Sequence, residues 1–210
     1  MPLPNRVDPF GKIHAVGARG TLMGNRGGCF HRDDKTLKPT HWASRQWIVC
    51  ELEFKGRRRT LMSPGRYTEL FFLDEATALA GGHRPCFECR RERATAFVDA
   101  VMSGVPLNSR PRVKHLDATI AGEVQDRLRG VSSAEISTAQ DLPDGAMFAS
   151  GQFAWLKLYD AAYRWSFEGY THVSSVPAEG VEVLTPAVTL DALRAGYRPD
   201  LHDSINRLAG

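Results

Sequence analysis

Cys86 and Cys89 stand two residues apart in "AGGHRPCFECRRER", with a glycine pair before them and three arginines after. A Cys-x-x-C turn at the start of a helix presents two thiolates from one backbone bend, and the unpaired N–H groups of a first helical turn favour the ionised sulfur. Two more cysteines, Cys29 and Cys50, and one histidine, His31, complete the set of soft ligands close to the motif's half of the chain. A tetrahedral zinc site needs four such groups. "GGCFH" lies in a glycine-rich loop that can bring in Cys29 and His31, with Asp33 or Asp34 as a hydrogen-bond acceptor for the imidazole. The expected Zn²⁺ ligands are therefore Cys29, His31, Cys86 and Cys89. Cys50 sits on the apolar face of a strand-like run and reads as a buried thiol, with a place as the alternative fourth ligand. A thiol–disulfide redox pair and two inert core cysteines are the competing readings of Cys86 and Cys89.

The elements that must position these groups follow from periodicity. "KIHAV" and "TELFF" read as short strands, and in "RQWIVCELEF" Ile48, Cys50, Leu52 and Phe54 alternate onto one face. Lys55-Gly56 predicts a tight turn into a second strand, "RRRTLM", so a hairpin is expected over Trp47–Met62. Asp74 caps a helix over "EATALA" that Gly81-Gly82 stops. After Cys86 a longer helix places Phe87, Ala94, Phe97, Val98 and Val101 on one face. Leu116, Ile120, Val124 and Leu128 mark another, ended by Gly130. Several short strands and the helix "LDALRA" fill the remainder. The predicted class is α+β.

"SGVPLNSRPR", at 103–112, is rich in turn residues and is the expected linker between two modules, 1–112 and 113–210. The charge balance changes sign near it: residues 1–115 carry 20 Lys and Arg against 11 Asp and Glu, and residues 116–210 carry 7 against 13. A basic half points to a polyanion as partner. The expected phosphate contacts are Arg26, Arg57, Arg58, Arg59, Arg66, Arg84, Arg90 and Arg91, with DNA favoured as the nucleic acid.

The stretch "FFLDEATALAGGHRPCFECRRERATA", residues 71–96, resembles the second half of the Ada-type zinc-binding domain of DNA repair proteins. A weaker likeness lies near 21–31, in "TLMGNRGGCFH". There Cys29 matches the family's second cysteine, Arg26 its arginine and Asn25 its first cysteine. The resemblance implies a small zinc module, here with the hairpin as an insertion, followed by a module of one helix and short strands. It also implies a role in DNA repair or processing. The family's methyl acceptor is its first cysteine; an asparagine there cannot form the thioether, so that chemistry is not expected.

Three functions follow. The first is a zinc-binding protein that contacts nucleic acid. The second is a zinc-dependent hydrolase or deaminase acting on a nucleotide or nucleic acid, for which Asn25 leaves a coordination position open. The third is a zinc-scaffolded protein-interaction module. The sequence has no run of 18 apolar residues, no apolar leader, no Walker loop and no H-E-x-x-H, and a cytoplasmic setting is expected.

Overall fold

The computed structural model describes residues 1–57, 60–131, 136–178 and 180–209. The strands of the first half are β1 (Arg6–Val7), β2 (Ile13–His14), β3 (Leu22–Arg26), β4 (Trp47–Glu51), β5 (Leu70–Phe72) and β6 (Arg84–Pro85). Three helices, α1 (Glu75–Ala80), α2 (Arg91–Met102) and α3 (Val113–Arg129), lie around and beyond them. The second half holds β7 (Ile136–Thr138), β8 (Met147–Ser150), β9 (Phe153–Leu158), β10 (Ala161–Arg164), β11 (Val173–Ser175) and β12 (Gly180–Val183). Two further helices, α4 (Ala187–Arg194) and α5 (Ser204–Ala209), close the described chain. Helices and two six-stranded sheets together make the fold α+β.

The first sheet has the order β2-β1-β5-β3-β4-β6, with β1 parallel to β5 and β6 parallel to β4. Period-two alternation gives it two unlike faces. Leu22, Gly24 and Arg26 of β3, Trp47 and Val49 of β4, and Leu70 and Phe72 of β5 point one way, towards α1 and α3. Gly24 is required there by close approach: a Cβ would fall 2.3 Å from the Ile48 carbonyl oxygen and 2.9 Å from the Phe72 ring. Met23, Asn25, Ile48, Cys50 and Phe71 point the other way and line a cleft.

The second half forms a sheet of order β11-β10-β9-β8-β12-β7, a meander over β8 to β11 with β12 set between β8 and β7. Its core does not stop at the expected linker. Leu79, Phe97 and Ile120 share one core with Phe148, Val183, Leu190 and Tyr197. Leu73, Ala76 and Ala80 share another with Met147, Leu156, Tyr170 and Ile205. Every residue of α1 is buried, with Ala78 turned to the first sheet and Ala76 and Ala80 to the second. The segment 103–112 contains a short 3-10 turn at Leu107–Ser109 between α2 and α3, and the two stretches 1–112 and 113–210 are joined through shared apolar cores.

The helix signals hold. The Asp74 carboxylate accepts the Thr77 N–H at 2.9 Å and caps α1, and Gly130 ends α3 in the left-handed region at φ 68°. The hairpin over Trp47–Met62 does not form among the described residues. Both edges of β4 are already taken, by β3 and by β6, so a strand after Gly56 has no ladder to join. The chain turns instead, with Lys55 and Met62 at positive φ; Arg58 and Arg59 lie outside the described residues. Among the described residues no helix is long and apolar enough to cross a membrane.

Candidate metal centre

Three elements meet at the cysteines. Cys50 projects from β4 into the cleft, Cys86 follows β6, and Cys89 closes the turn before α2. The turn is held to the sheet by the Cys86 N–H, which donates to the Val49 carbonyl at 2.9 Å, and closed by the Arg90 N–H donating to the Cys86 carbonyl at 2.9 Å. The ligand atoms of Cys50, Cys86 and Cys89 all lie within 4.8 Å of one another. Three thiolates around one zinc at about 2.3 Å would stand about 3.8 Å apart, so small side-chain adjustments close the site.

Backbone donors favour charge on two of the sulfurs. Cys86 Sγ accepts the Glu88 N–H at 3.3 Å and also faces the Cys89 N–H, while Cys89 Sγ faces the Glu51 N–H. Hydrogen bonding from the Cys50 thiol, with these N–H groups, lowers Cys86 to about 5 against the cost of burial. Cys89 is lowered for the same reasons. Cys50 moves the other way, because its proton is shared with both neighbours, the site is buried and they repel a third negative charge. A divalent cation takes the place of that shared proton, which is how metal binding and thiol ionisation are linked. Three cysteines so placed could bind a metal ion.

The expected partners Cys29 and His31 are elsewhere. After Arg26 the chain turns at Gly27 and Gly28, both at positive φ, and leaves the cleft. Cys29 Sγ lies 3.8 Å from His31 Nδ1, and both residues border a shallow depression with Asp33 and Asp34 that shares no lining residue with the cysteine cleft. His31 is a buried tether: Nδ1 pairs with Thr68 Oγ1 at 2.8 Å and Nε2 with the Ser63 carbonyl at 3.2 Å. Asp34 does not orient it, since its Oδ1 accepts from the Thr36 N–H and hydroxyl. The set brought together is Cys50, Cys86 and Cys89. Strand pairing does this: β6 runs parallel beside β4 with Val49 opposite Pro85, so Cys50 and Cys86 come next on adjoining strands.

The arginines divide. Arg26 is fully buried, stacked 4.1 Å from the Trp47 ring, with Nη2 donating to the Gly11 carbonyl at 2.8 Å and Nε 3.3 Å from His83 Nε2. Burial lowers it to about 9, partly offset by Asp8. Arg84 is 4% exposed and forms a two-pronged pair with Asp117 at 2.6 and 3.0 Å. Arg90, 5% exposed, reaches Glu51, Glu75 and Asp200. These three cannot grip phosphate, because each is committed inside the protein. Arg66 and Arg91 are exposed, and Arg57 is exposed but paired with Glu88 at 2.6 Å.

The cysteine cleft encloses about 290 Å³, with Met23, Ile48, Leu61 and Phe71 as apolar wall and Asn25, Tyr67 and Glu69 among its polar groups. Comparison with known proteins returned no matching family model, no matching curated protein and no matching solved structure.

Proposed function

We propose that the protein binds zinc through Cys50, Cys86 and Cys89, with one coordination position turned to the cleft for a small ligand. The observation that carries this is the convergence of three sulfurs within 4.8 Å on the wall of the cleft. An all-sulfur donor set suits zinc among the common soft ions. Three protein ligands with a fourth place left open is the pattern of zinc that meets substrates, whereas structural zinc is closed by four. Bound there, zinc would act as a Lewis acid on whatever atom completed its shell. This reading favours the zinc-dependent enzyme over a closed finger. The likeness to the Ada-type domain fits it in one respect: Asn25, at the place of that family's first cysteine, lines the same cleft as Cys50 on the adjoining strand.

Elemental analysis tests the proposal on wild type beside Cys50→Ser, Cys29→Ser and His31→Ala. One zinc per chain is expected, lost with Cys50 and retained without Cys29 or His31. Zinc retained in Cys50→Ser and lost in His31→Ala refutes it.

A second reading, contact with nucleic acid, is favoured by the basic balance of residues 1–115. With Arg26, Arg84 and Arg90 committed internally, five of the eight remain, Arg57, Arg66 and Arg91 exposed and Arg58 and Arg59 outside the described residues, so the salt slope in log–log form should not exceed about −4.5, against about −7 for eight contacts. Binding that ignores salt between 50 and 200 mM, or no binding to duplex or single-stranded DNA, rejects this reading.

A further inference from the structure

Among the described residues no cation pairs with the Glu69 carboxylate. It precedes β5, and alternation places it on the cleft side with Phe71 while Leu70 and Phe72 point to the core. Only 2% of it is exposed. Its Oε2 accepts the Met62 N–H at 2.8 Å, and among the described residues Oε1 receives no hydrogen bond and no cation pairs with either oxygen. Burying a carboxylate this deeply is unfavourable unless a partner meets it.

The other charges of the cleft are already matched. Arg57 pairs with Glu88 at 2.6 Å, and Glu51 is met by Arg90 at 2.8 Å. Three thiolates on one divalent ion would leave a single negative charge at the cysteines. Among the described residues the uncompensated charge of the cleft is therefore negative, at Glu69 and at the cysteines, and a phosphate or carboxylate ligand is repelled from it. Between the two ends the wall is apolar, through Met23, Ile48, Leu61 and Phe71. The volume of about 290 Å³ stands at the small end of ligand sites.

We propose that this cleft takes a small, positively charged nitrogen compound, an amine or amidine carried on an apolar body, whose N–H groups are received by Glu69. The charge at the cysteines rests on the zinc reading above; the demand made by Glu69 does not.

The test is calorimetric titration of the zinc-loaded protein with three probes of one shape: benzamidine, benzamide and benzoate. A charge-assisted hydrogen bond at Glu69 predicts benzamidine about 10- to 100-fold tighter than benzamide, with benzoate weakest. Glu69→Gln keeps an acceptor for the Met62 N–H and should remove that preference. Ile48→Trp, which fills the cleft from β4, should abolish binding of all three and serves if the Gln variant does not fold. Benzoate binding as tightly as benzamidine, no binding of benzamidine at millimolar concentration, or an undiminished preference in a folded Glu69→Gln overturns the proposal. Metal content is measured on the same samples. Zinc present with no preference for the cation fails this inference alone. The preference intact in a protein that holds no zinc fails the zinc reading alone.

Discussion

Removing the Asp117 carboxylate should be among the most damaging single changes outside the apolar cores. Arg84 and Asp117 join β6 to α3 through two parallel N–H···O bonds of 2.6 and 3.0 Å, and both side chains are at most 5% exposed. The guanidinium also lies 5.0 Å from the Phe87 ring centre. Asp117→Ala leaves a buried guanidinium with only the Pro85 carbonyl as hydrogen-bond acceptor. Stranding one member of a buried ion pair costs about 3–5 kcal/mol. For a chain of this size each kcal/mol moves the melting midpoint by about 2–4 °C, so a fall of about 6–20 °C is expected. Urea unfolding followed by tryptophan fluorescence gives the free energy directly, and scanning calorimetry gives the midpoint. The double variant Arg84→Met, Asp117→Ala should recover much of the loss, because the stranded charge goes with its partner. A cost under 1 kcal/mol for Asp117→Ala, or a double variant weaker than the single by the full cost of Arg84→Met alone, would refute the idea that this pair is closed to water and committed to the fold.

Other outcomes follow from the same coordinates. Burial, and then the Arg26 charge, hold His83 well below the ordinary imidazole range. The unfolded chain therefore takes up a proton near pH 6.5 that the folded chain refuses. Stability should fall as pH drops below about 6.5, by up to about 1.4 kcal/mol per pH unit, and His83→Gln should flatten that limb in urea titrations. On the zinc proposal, a chelator should lower the melting point without unfolding the protein, since none of the apolar cores includes a cysteine. A loss of about 2–4 kcal/mol is expected for saturating metal, and full loss of the far-ultraviolet circular dichroism on chelation contradicts it. Asp74→Ala removes the α1 cap and strands the Tyr170 hydroxyl and His202 N–H, at 2.9 and 3.1 Å from its Oδ2. A cost of about 3 kcal/mol or more is expected by denaturant titration.

The parts of the fold governed by neighbouring residues were legible. The Asp74 cap, the four-residue recurrence of Leu116, Ile120, Val124 and Leu128, and the stop at Gly130 are local chemistry, and all three appear in place. What was hidden depends on who pairs with whom. The false hairpin came from reading a turn signal at Lys55-Gly56 without knowing that β3 and β6 already flank β4. The two-residue strands β1 and β6 carry no periodic signal at all. The grouping of the cysteines follows the same rule. His31 is near Cys29 in sequence, yet it is Cys50, the alternative fourth ligand, that arrives beside Cys86, because β4 and β6 run side by side. One signal was available and unused: Leu22, Gly24 and Arg26 share a face, so period-two alternation already pointed Arg26 inward.

Arg90 follows the last cysteine directly, yet the carboxylate it grips at 2.6 Å belongs to Asp200, 110 positions later. The buried Glu75 likewise waits for the Tyr197 hydroxyl and the Asp200 N–H. During synthesis the three sulfurs leave the ribosome long before Asp200, the last of the carboxylates that meet Arg90. Until then Arg90 has only Glu51 and Glu75 to hold it. The centre gains its final rigidity only when the distal end of the chain folds back, so a truncated or stalled product carries the thiols without the clasp. Such fragments would be the species most open to mispaired disulfides.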